Sequence, residues 1–247
     1  MEQYYSSERN VQILVSLLKQ HGVKKIVASP GSTNVTFVGS VQQDPYFEIY
    51  SSVDERSAAY IACGLAAESG EPVAISCTGA TASRNYFPAL TEAFYRKLPI
   101  LAITSTQDEA KIGHLIPQII DRNCQPNDTV KHSVHLPTVK DQDDEWNCMV
   151  KANEAILALK HHGNGPVHIN LTTTYCKDFT VRKLPFTHKI ERFMSWEIST
   201  FPTIPVGKVL IYIGSHTRME HALTNAIDAF CLAYNAAVIV ETTSNYN

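Results

Sequence analysis

Residues 47–59 read Phe-Glu-Ile-Tyr-Ser-Ser-Val-Asp-Glu-Arg-Ser-Ala-Ala, and this stretch decides the fold class. Its first four residues form a short run typical of a strand. Asp54 and Glu55 then open a segment rich in small residues, which predicts a helix that ends near Gly70. A strand followed directly by a helix, with a carboxylate between them, is the unit from which parallel sheets are built.

Strand-like and helix-like segments alternate on both sides of this stretch. Apolar runs predict further strands at 25–28, 73–77, 99–104, 132–136 and 166–171. Helical patterns predict helices at 8–21, 55–70, 81–96 and 145–162. The near-continuous apolar run 99–104 is typical of a strand that is covered on both faces. We therefore predict an α/β fold, a parallel sheet with helices on both faces and right-handed crossovers.

The composition along the chain predicts two domains joined by a linker. The first domain is predicted to cover residues 1–175. Residues 176–205 show no sustained period and contain three prolines, which predicts a linker. Residues 206–247 read as one β-α-β unit, which is too short to bury a core of its own. We expect this unit to be the start of a second, incomplete α/β domain.

Charge and cysteine usage exclude several functional classes. The formal net charge is −3, so the chain lacks the excess of positive charge with which proteins bind nucleic acid or an anionic membrane. The first residues lack the pattern of a signal peptide, and no apolar run is long enough to cross a bilayer. The six cysteines are scattered without metal-ligand spacing, so we expect reduced thiols, no metal site and a cytoplasmic protein.

Four polar segments are predicted to meet at one edge of the sheet: 30–34, Glu55, 78–85 and 105–107. In parallel sheets, ligands bind beyond the carboxyl ends of the strands. Glu55 is suited to share a proton with a heteroaromatic nitrogen, although a helix-end carboxylate is also favoured by the helix dipole alone. Segment 78–81 fits either a helix cap or a close backbone approach to a ligand. Neither loop matches a standard phosphate-binding motif.

Five motifs follow one another in an order that identifies a family. They lie at residues 54–59, 64–66, 70–74, 77–82 and 98–104. Together they resemble the pyrimidine-binding (PYR) domain of thiamine-diphosphate-dependent enzymes, over about residues 25–172. Within this family the pattern looks most like the menaquinone-pathway carboligases, and acetolactate synthases and 2-oxoacid decarboxylases are more distant.

The resemblance implies a role for individual residues. It makes Glu55 the catalytic residue, whose carboxyl group hydrogen-bonds N1′ of the aminopyrimidine of thiamine diphosphate. It assigns Ser32 and Gln118 to a 2-oxoacid substrate. It places six residues at the cofactor: Pro30, Gly31, Thr78, Gly79, Ala80 and Asn85.

The chain departs from the family pattern in two places. In the menaquinone-pathway enzymes an arginine follows Pro-Gly-Ser and meets the carboxylate of the acceptor, but here Thr33 follows Ser32. The resemblance therefore does not extend to the acceptor specificity of those enzymes. The family also holds diphosphate and Mg²⁺ through a Gly-Asp-Gly motif in a later domain, which this sequence lacks. We therefore expect the Mg²⁺ ligands outside this chain, in a homodimer, a higher homo-oligomer or a separate diphosphate-domain subunit.

Three functions are compatible with these observations. The first is the N-terminal part of a thiamine-diphosphate-dependent decarboxylase or carboligase, either truncated or one half of a split enzyme, and inactive by itself. The second is a PYR-like binding or assembly module without catalysis. The third is a generic flavodoxin-like nucleotide binder, which fits the fold but accounts for neither Glu55 nor the order of the motifs.

Overall fold

The computed structural model describes residues 4–194, 203–204 and 207–246. The chain divides into two compact units, Met1–Arg192 and Phe193–Asn247. The first unit contains a six-stranded sheet and its helices, and the second contains a two-stranded sheet.

The sheet of the first unit is parallel throughout. Its strands are Lys25–Ala28 (β1), Glu48–Ser51 (β2), Val73–Thr78 (β3), Ile100–Thr106 (β4), His132–Leu136 (β5) and Val167–Thr172 (β6). Their spatial order is β2-β1-β3-β4-β6-β5, and each neighbouring pair is parallel. The parallel α/β sheet predicted from the alternation of segments is thereby confirmed.

Six helices accompany these strands in the described residues: one precedes β1, and the other five lie in the connections between strands. They are Arg9–Gln20 (α1), Val35–Gln42 (α2), Glu55–Ser69 (α3), Thr81–Arg84 (α4), Phe87–Arg96 (α5) and Gln142–Ala158 (α6). Helix α3 ends at Gly70, whose φ of 68° is the left-handed conformation that glycine adopts without strain. Helix α6 begins three residues earlier than predicted because the Asp141 side chain accepts a hydrogen bond from the Asp144 amide at 2.9 Å. Within the described residues, no helix is both long and apolar enough to traverse a bilayer.

Two apolar layers cover the two faces of the sheet. Strand β4 is buried along its whole length, and its side chains alternate between the layers, as the two-residue period of a strand requires. Leu101 and Ile103 join the layer formed with α1, α2 and α6. Ile100 and Ala102 join the layer formed with α3 and α5. The apolar run 99–104 thus marks a strand covered on both sides, as predicted.

The structure corrects two helix predictions. The single helix predicted at 81–96 is divided into α4 and α5, with Pro88 in the first turn of α5. A proline there cannot continue the hydrogen bonding of a preceding helix, but it is well tolerated in a first turn. Helix α2 had no counterpart among the predicted helices. Six of its eight residues are buried, so it lacks the alternation of an apolar and an exposed face that marks an amphipathic helix, and its β-branched and glycine residues are weak helix formers.

The first part of the predicted linker 176–205 packs against the sheet unit. Val181 forms an antiparallel bridge with Tyr5, and Val181 and Leu184 contact the layer of α1 and α6. The buried hydroxyl of Thr187 lies 2.8 Å from that of Ser16. Residues 195–202 and 205–206 of the predicted linker lie outside the described residues. The predicted domain boundaries stay a prediction.

The second unit has the β-α-β pattern that the sequence predicts there. It consists of Leu210–Ile213 (β7), His221–Tyr234 (α7) and Ala237–Val240 (β8). Strands β7 and β8 pair in parallel. None of the residues of α7 is buried.

We expect Leu101→Ala to lower the free energy of unfolding by about 2–5 kcal/mol, because it removes a fully buried side chain from the central strand. Leu115→Ala is the matched control. Its side chain is 99% exposed, and the same truncation there should change stability by less than about 0.5 kcal/mol. Urea denaturation followed by circular dichroism measures both. Equal effects of the two substitutions would contradict the assignment of Leu101 to the core.

Candidate functional site

The chain reverses its direction across the sheet between β1 and β3. These strands are neighbours, but the connection after β1 runs through α2 in one apolar layer. The connection after β3 runs through α5 in the other layer. The two loops therefore separate at the carboxyl ends of their strands and leave a crevice. In open α/β sheets this is the position at which ligands bind.

Asn34 shapes the loop after β1. Its side chain is fully buried and accepts a hydrogen bond from the Gly31 amide at 2.7 Å. Its amide group donates to the Ser29 carbonyl at 3.1 Å and to the Ser76 hydroxyl on β3 at 3.2 Å. One side chain thus closes the loop on itself and fastens it to the neighbouring strand. The sequence analysis placed Asn34 in this turn but gave it no role.

Two predicted cofactor residues, Gly31 and Thr78, are in contact across the crevice. A Cβ atom on Gly31 would overlap the Cγ2 methyl group of Thr78. Only glycine therefore fits at this position without displacing the Thr78 side chain. Pro30, Gly31 and Thr78 consequently lie at adjoining strand ends, as predicted, although whether they bind a cofactor stays a prediction.

Glu55 is the first residue of α3 and is half-buried. The helix is capped by Asp54, whose carboxylate accepts from the Ser57 amide at 2.7 Å. Within the described part of the chain, the Glu55 carboxylate has no hydrogen-bond partner. Because the cap is provided by Asp54, the carboxylate of Glu55 is not needed for that purpose and stays available to a ligand.

Tyr86 and Cys77 are buried neighbours of Glu55 that the sequence analysis did not identify. Burial chiefly raises the pKa of the Cys77 thiol to about 12, and the charge of Glu55 contributes to the increase. The pKa of Tyr86 is held well above its usual range, again mainly by burial, with further contributions from Cys77 and Glu55. Both side chains are therefore neutral at physiological pH, and neither adds a charge beside Glu55.

The loop after β3 holds the remaining predicted cofactor residues. The Ser83 hydroxyl lies 2.9 Å from the Gly79 carbonyl oxygen and 2.7 Å from the Ala80 carbonyl oxygen, which keeps the turn compact. Asn85 is exposed. A Cβ atom on Gly79 would overlap the guanidinium group of Arg122 and would lie 2.5 Å from the Ser105 carbonyl oxygen. The close contact with Arg122 and Ser105 therefore explains, without any ligand, why residue 79 is a glycine.

The two predicted substrate residues meet at the rim of the crevice. The Ser32 hydroxyl donates to the Gln118 side-chain oxygen at 3.4 Å. Beside them is a cavity of about 480 Å³ lined by Gly31, Ser32, Val35, Tyr175 and Lys177, and this volume falls in the range of small-molecule sites. Within the described residues, Lys177 is exposed and forms no ion pair. The sequence analysis missed Tyr175 and Lys177 because they follow the last strand of the sheet and belong to no motif.

The histidines near the sheet edge have structural partners. His168 is buried between the hydroxyl groups of Thr104, at 2.7 Å, and Ser133, at 2.8 Å. Burial lowers the pKa of His168 to about 3, so the ring is neutral. His135 lies 3.0 Å from the carboxylate of Glu109. Among the described residues, no group of three or more His, Cys, Asp and Glu side chains has an arrangement that could hold a metal ion.

Comparison with known proteins identifies the class. Residues 9–125 match the family described as "Thiamine pyrophosphate enzyme, N-terminal TPP binding domain". This range includes every predicted site residue from Pro30 to Gln118. The chain therefore belongs to this domain family, and the resemblance read from the ordered motifs is confirmed.

Two of the relatives that match this chain carry the same name. The 2-succinyl-5-enolpyruvyl-6-hydroxy-3-cyclohexene-1-carboxylate synthase of Bacteroides thetaiotaomicron is 40% identical over 195 residues, which are 78% of this chain and 35% of that protein. The synthase of the same name from Porphyromonas gingivalis is 30% identical over 257 residues, 99% of this chain and 44% of that protein. The chain thus spans less than half the length of these two relatives.

A solved structure shares the fold. The crystal structure of benzoylformate decarboxylase from Polynucleobacter necessarius aligns with a TM-score of 0.59 over 94% of this chain and 43% of that one. The two sequences are 21% identical. At this level the likeness supports the architecture of the sheet and its helices.

We expect Asn34→Ala to destabilise the protein by about 1–3 kcal/mol, because it leaves the Gly31 amide and the Ser29 carbonyl without their partner. Amide hydrogen exchange of residues 29–34 should accelerate as well. Asn123→Ala, at an exposed position, serves as the control and should stay within about 0.5 kcal/mol of the wild type. Unchanged exchange in the Asn34 variant would mean that its side chain does not hold the loop.

Proposed function

We propose that this chain is the pyrimidine-binding part of a thiamine-diphosphate-dependent enzyme that acts on a 2-oxoacid as a decarboxylase or carboligase. The observation that carries the proposal is the Glu55 carboxylate, which is half-buried and without a hydrogen-bond partner among the described residues. It belongs to the segment that matches the family. It follows β2 at the same carboxyl edge as the loops after β1 and β3.

The residues of the crevice fit the aminopyrimidine of this cofactor. Thiamine diphosphate, when bound, supplies the nucleophilic carbon and the electron sink for cleaving the bond next to the 2-oxo group. Glu55 holds a proton at N1′ of the aminopyrimidine, a role for which a carboxylate without a competing partner is suited. Thr78, Gly79 and Ala80, at the end of β3, are the residues that would hold the heterocycle together with Glu55.

The substrate side of the proposed site is the cavity beside Ser32. Ser32 and Gln118 orient the 2-oxoacid by hydrogen bonds. Lys177 provides a positive charge for a carboxylate, and it is the cation among the residues that line this cavity. Diphosphate and Mg²⁺ are held by residues outside this chain, in a homo-oligomer or a separate subunit.

Glu55→Gln tests the catalytic role in the complete protein with thiamine diphosphate and Mg²⁺ bound. We expect the exchange of the C2 proton of the cofactor for deuterium to slow by about 10²–10⁴-fold, because an amide cannot exchange a proton with N1′. Proton nuclear magnetic resonance after acid quenching measures the rate, and circular dichroism reports the fold.

The matched control is Glu68→Gln, an exposed glutamate on the same helix, which should leave the exchange rate unchanged. Wild-type exchange in the Glu55 variant would remove this residue from its role. The alternative of a binding or assembly module without catalysis would instead be favoured if the wild type itself did not accelerate the exchange.

Lys177→Met should weaken the binding of 2-oxoacids by about tenfold or more, since a hydrogen bond to a charged group contributes about 1.5–3 kcal/mol. Lys177→Arg should largely preserve binding. Isothermal titration calorimetry with pyruvate and 2-oxoglutarate provides the measurement. Lys183→Met, which alters a lysine of a different cavity, is the control, and an equal loss in both methionine variants would contradict the proposed contact.

A further inference from the structure

Glu8 occupies the N-terminal cap position of α1 but does not cap the helix. Within the described residues, its side chain forms no capping hydrogen bond with α1, although polar side chains at this position commonly accept one from the first turn. The carboxylate contacts instead the segment that follows β6, at Thr174, which is 166 positions away along the chain. A need other than helix formation therefore sets the direction of this side chain.

One oxygen of Glu8 accepts three hydrogen bonds from this segment. Oε1 accepts from the backbone amide of Thr174 at 3.0 Å and from its hydroxyl at 3.1 Å, and it accepts from the amide of Cys176 at 3.3 Å. Burial raises the pKa of Glu8, and the hydrogen bonds from Thr174 and Cys176 oppose this increase. Hydrogen bonds to a carboxylate are the strong ones, and here they hold the residues on both sides of Tyr175.

The start of the segment is attached to two loops of the crevice. The Thr173 amide donates to the Thr106 carbonyl oxygen, at the end of β4, at 2.7 Å. The Thr173 hydroxyl donates to the carbonyl oxygen of Thr33, in the turn after β1, at 2.7 Å. Residues 173–177, which we call the wall segment, therefore begin at the carboxyl edge of the sheet, where the predicted site residues lie.

Tyr175 has a conformation that its surroundings must impose. Its φ is 60°, in the left-handed region that residues with a side chain adopt rarely. The hydroxyl oxygen of Tyr175 accepts a hydrogen bond from the Gln107 side-chain amide at 2.5 Å. An unfavourable backbone conformation persists only where several contacts fix it. The hydrogen bonds to Glu8 on either side of Tyr175 and the contact with Gln107 at the end of its ring are such contacts.

The wall segment forms one side of the cavity of about 480 Å³. Tyr175 and Lys177 belong to its lining, and the other lining residues, Gly31, Ser32 and Val35, come from the loop after β1 and the start of α2. The position of the wall segment therefore determines how far Lys177 lies from Ser32. These are the two groups to which the proposed function assigns the substrate on this side of the site.

We propose that Glu8 is a positioning residue for substrate binding, whose carboxylate holds the wall segment so that Tyr175 and Lys177 form one side of the substrate cavity. Glu8 acts through Thr174 and Cys176 and takes no part in the chemistry. This role rests on the proposed function, because that function assigns the cavity to a 2-oxoacid. Glu8 therefore affects the binding of the substrate and not the activation of the cofactor.

Glu8→Ala tests this role in the complete protein with thiamine diphosphate and Mg²⁺ bound. Isothermal titration calorimetry should show about tenfold weaker binding of pyruvate and 2-oxoglutarate, because the segment that carries Lys177 is released. The exchange of the C2 proton of the cofactor, measured without substrate, should stay within about twofold of the wild type. Glu8→Gln retains an oxygen acceptor and should bind within about threefold of the wild type. Glu68→Ala, at an exposed position of α3, is the control and should change neither measurement.

Amide hydrogen exchange of residues 174–176 provides a readout that requires no substrate, and it should accelerate about tenfold or more in Glu8→Ala. Unchanged amide exchange, or unchanged affinity despite faster exchange, would overturn the proposal. A parallel loss of 2-oxoacid binding and of C2 exchange would indicate a general structural defect and would also contradict it. A wild type that shows no C2 exchange or binds neither acid would refute the proposed function, and the role of Glu8 with it.

Thr174→Val provides the test if Glu8→Ala does not fold. It removes one of the three donors to Oε1, at an exposed position, and leaves α1 unchanged. We expect the affinity for the 2-oxoacid to fall about threefold and the amide exchange of residues 174–176 to accelerate. Wild-type values of both measurements in this variant would overturn the proposal.

Discussion

Burial of both faces of the parallel sheet is the constraint on which the rest of the structure depends. The side chains of β4 alternate between two apolar layers, and each layer is completed by helices. A sheet that is apolar on both sides cannot remain stable in water unless helices cover both. The connections must therefore leave the sheet in both directions, and they diverge between β1 and β3. The crevice at the candidate site is a consequence of this requirement.

The crevice also contains buried polar groups. The hydroxyl group of Ser105 and two nitrogens of Arg122 are buried there without hydrogen-bond partners among the described residues. Elsewhere the sheet is packed mainly by aliphatic side chains. Buried polar groups that lack partners cost stability, and they concentrate where a protein interacts with a ligand rather than only with itself. Glu55 stands at the margin of this polar region, with its carboxylate available because Asp54 provides the helix cap.

The sequence predicted the strands more accurately than the helices for a physical reason. Most strands of the sheet are short apolar runs between polar turns, and this pattern is local. Helix α2 and the break at Pro88 depend on packing instead: α2 is buried on nearly all sides, and α5 is a separate helix because Pro88 belongs to its first turn. The candidate site divides in the same way. Glu55, the turn at 30–34 and the loop 78–85 follow strands and could be located in advance, whereas Tyr86, Arg122 and Lys177 could not.

The sequence by itself determined the α/β class, the family and the segments that reach the carboxyl edge of the sheet. Each of these depends only on the local periodicity of the chain and on the order of short motifs. Only the tertiary structure decided which groups meet there. It brought Asn34 to β3 and Ser32 to Gln118. It also placed the guanidinium of Arg122 where a Cβ atom on Gly79 would have been. These contacts join residues separated by about forty positions or more along the chain, and such distances are closed only when the strands take their order in the folded sheet.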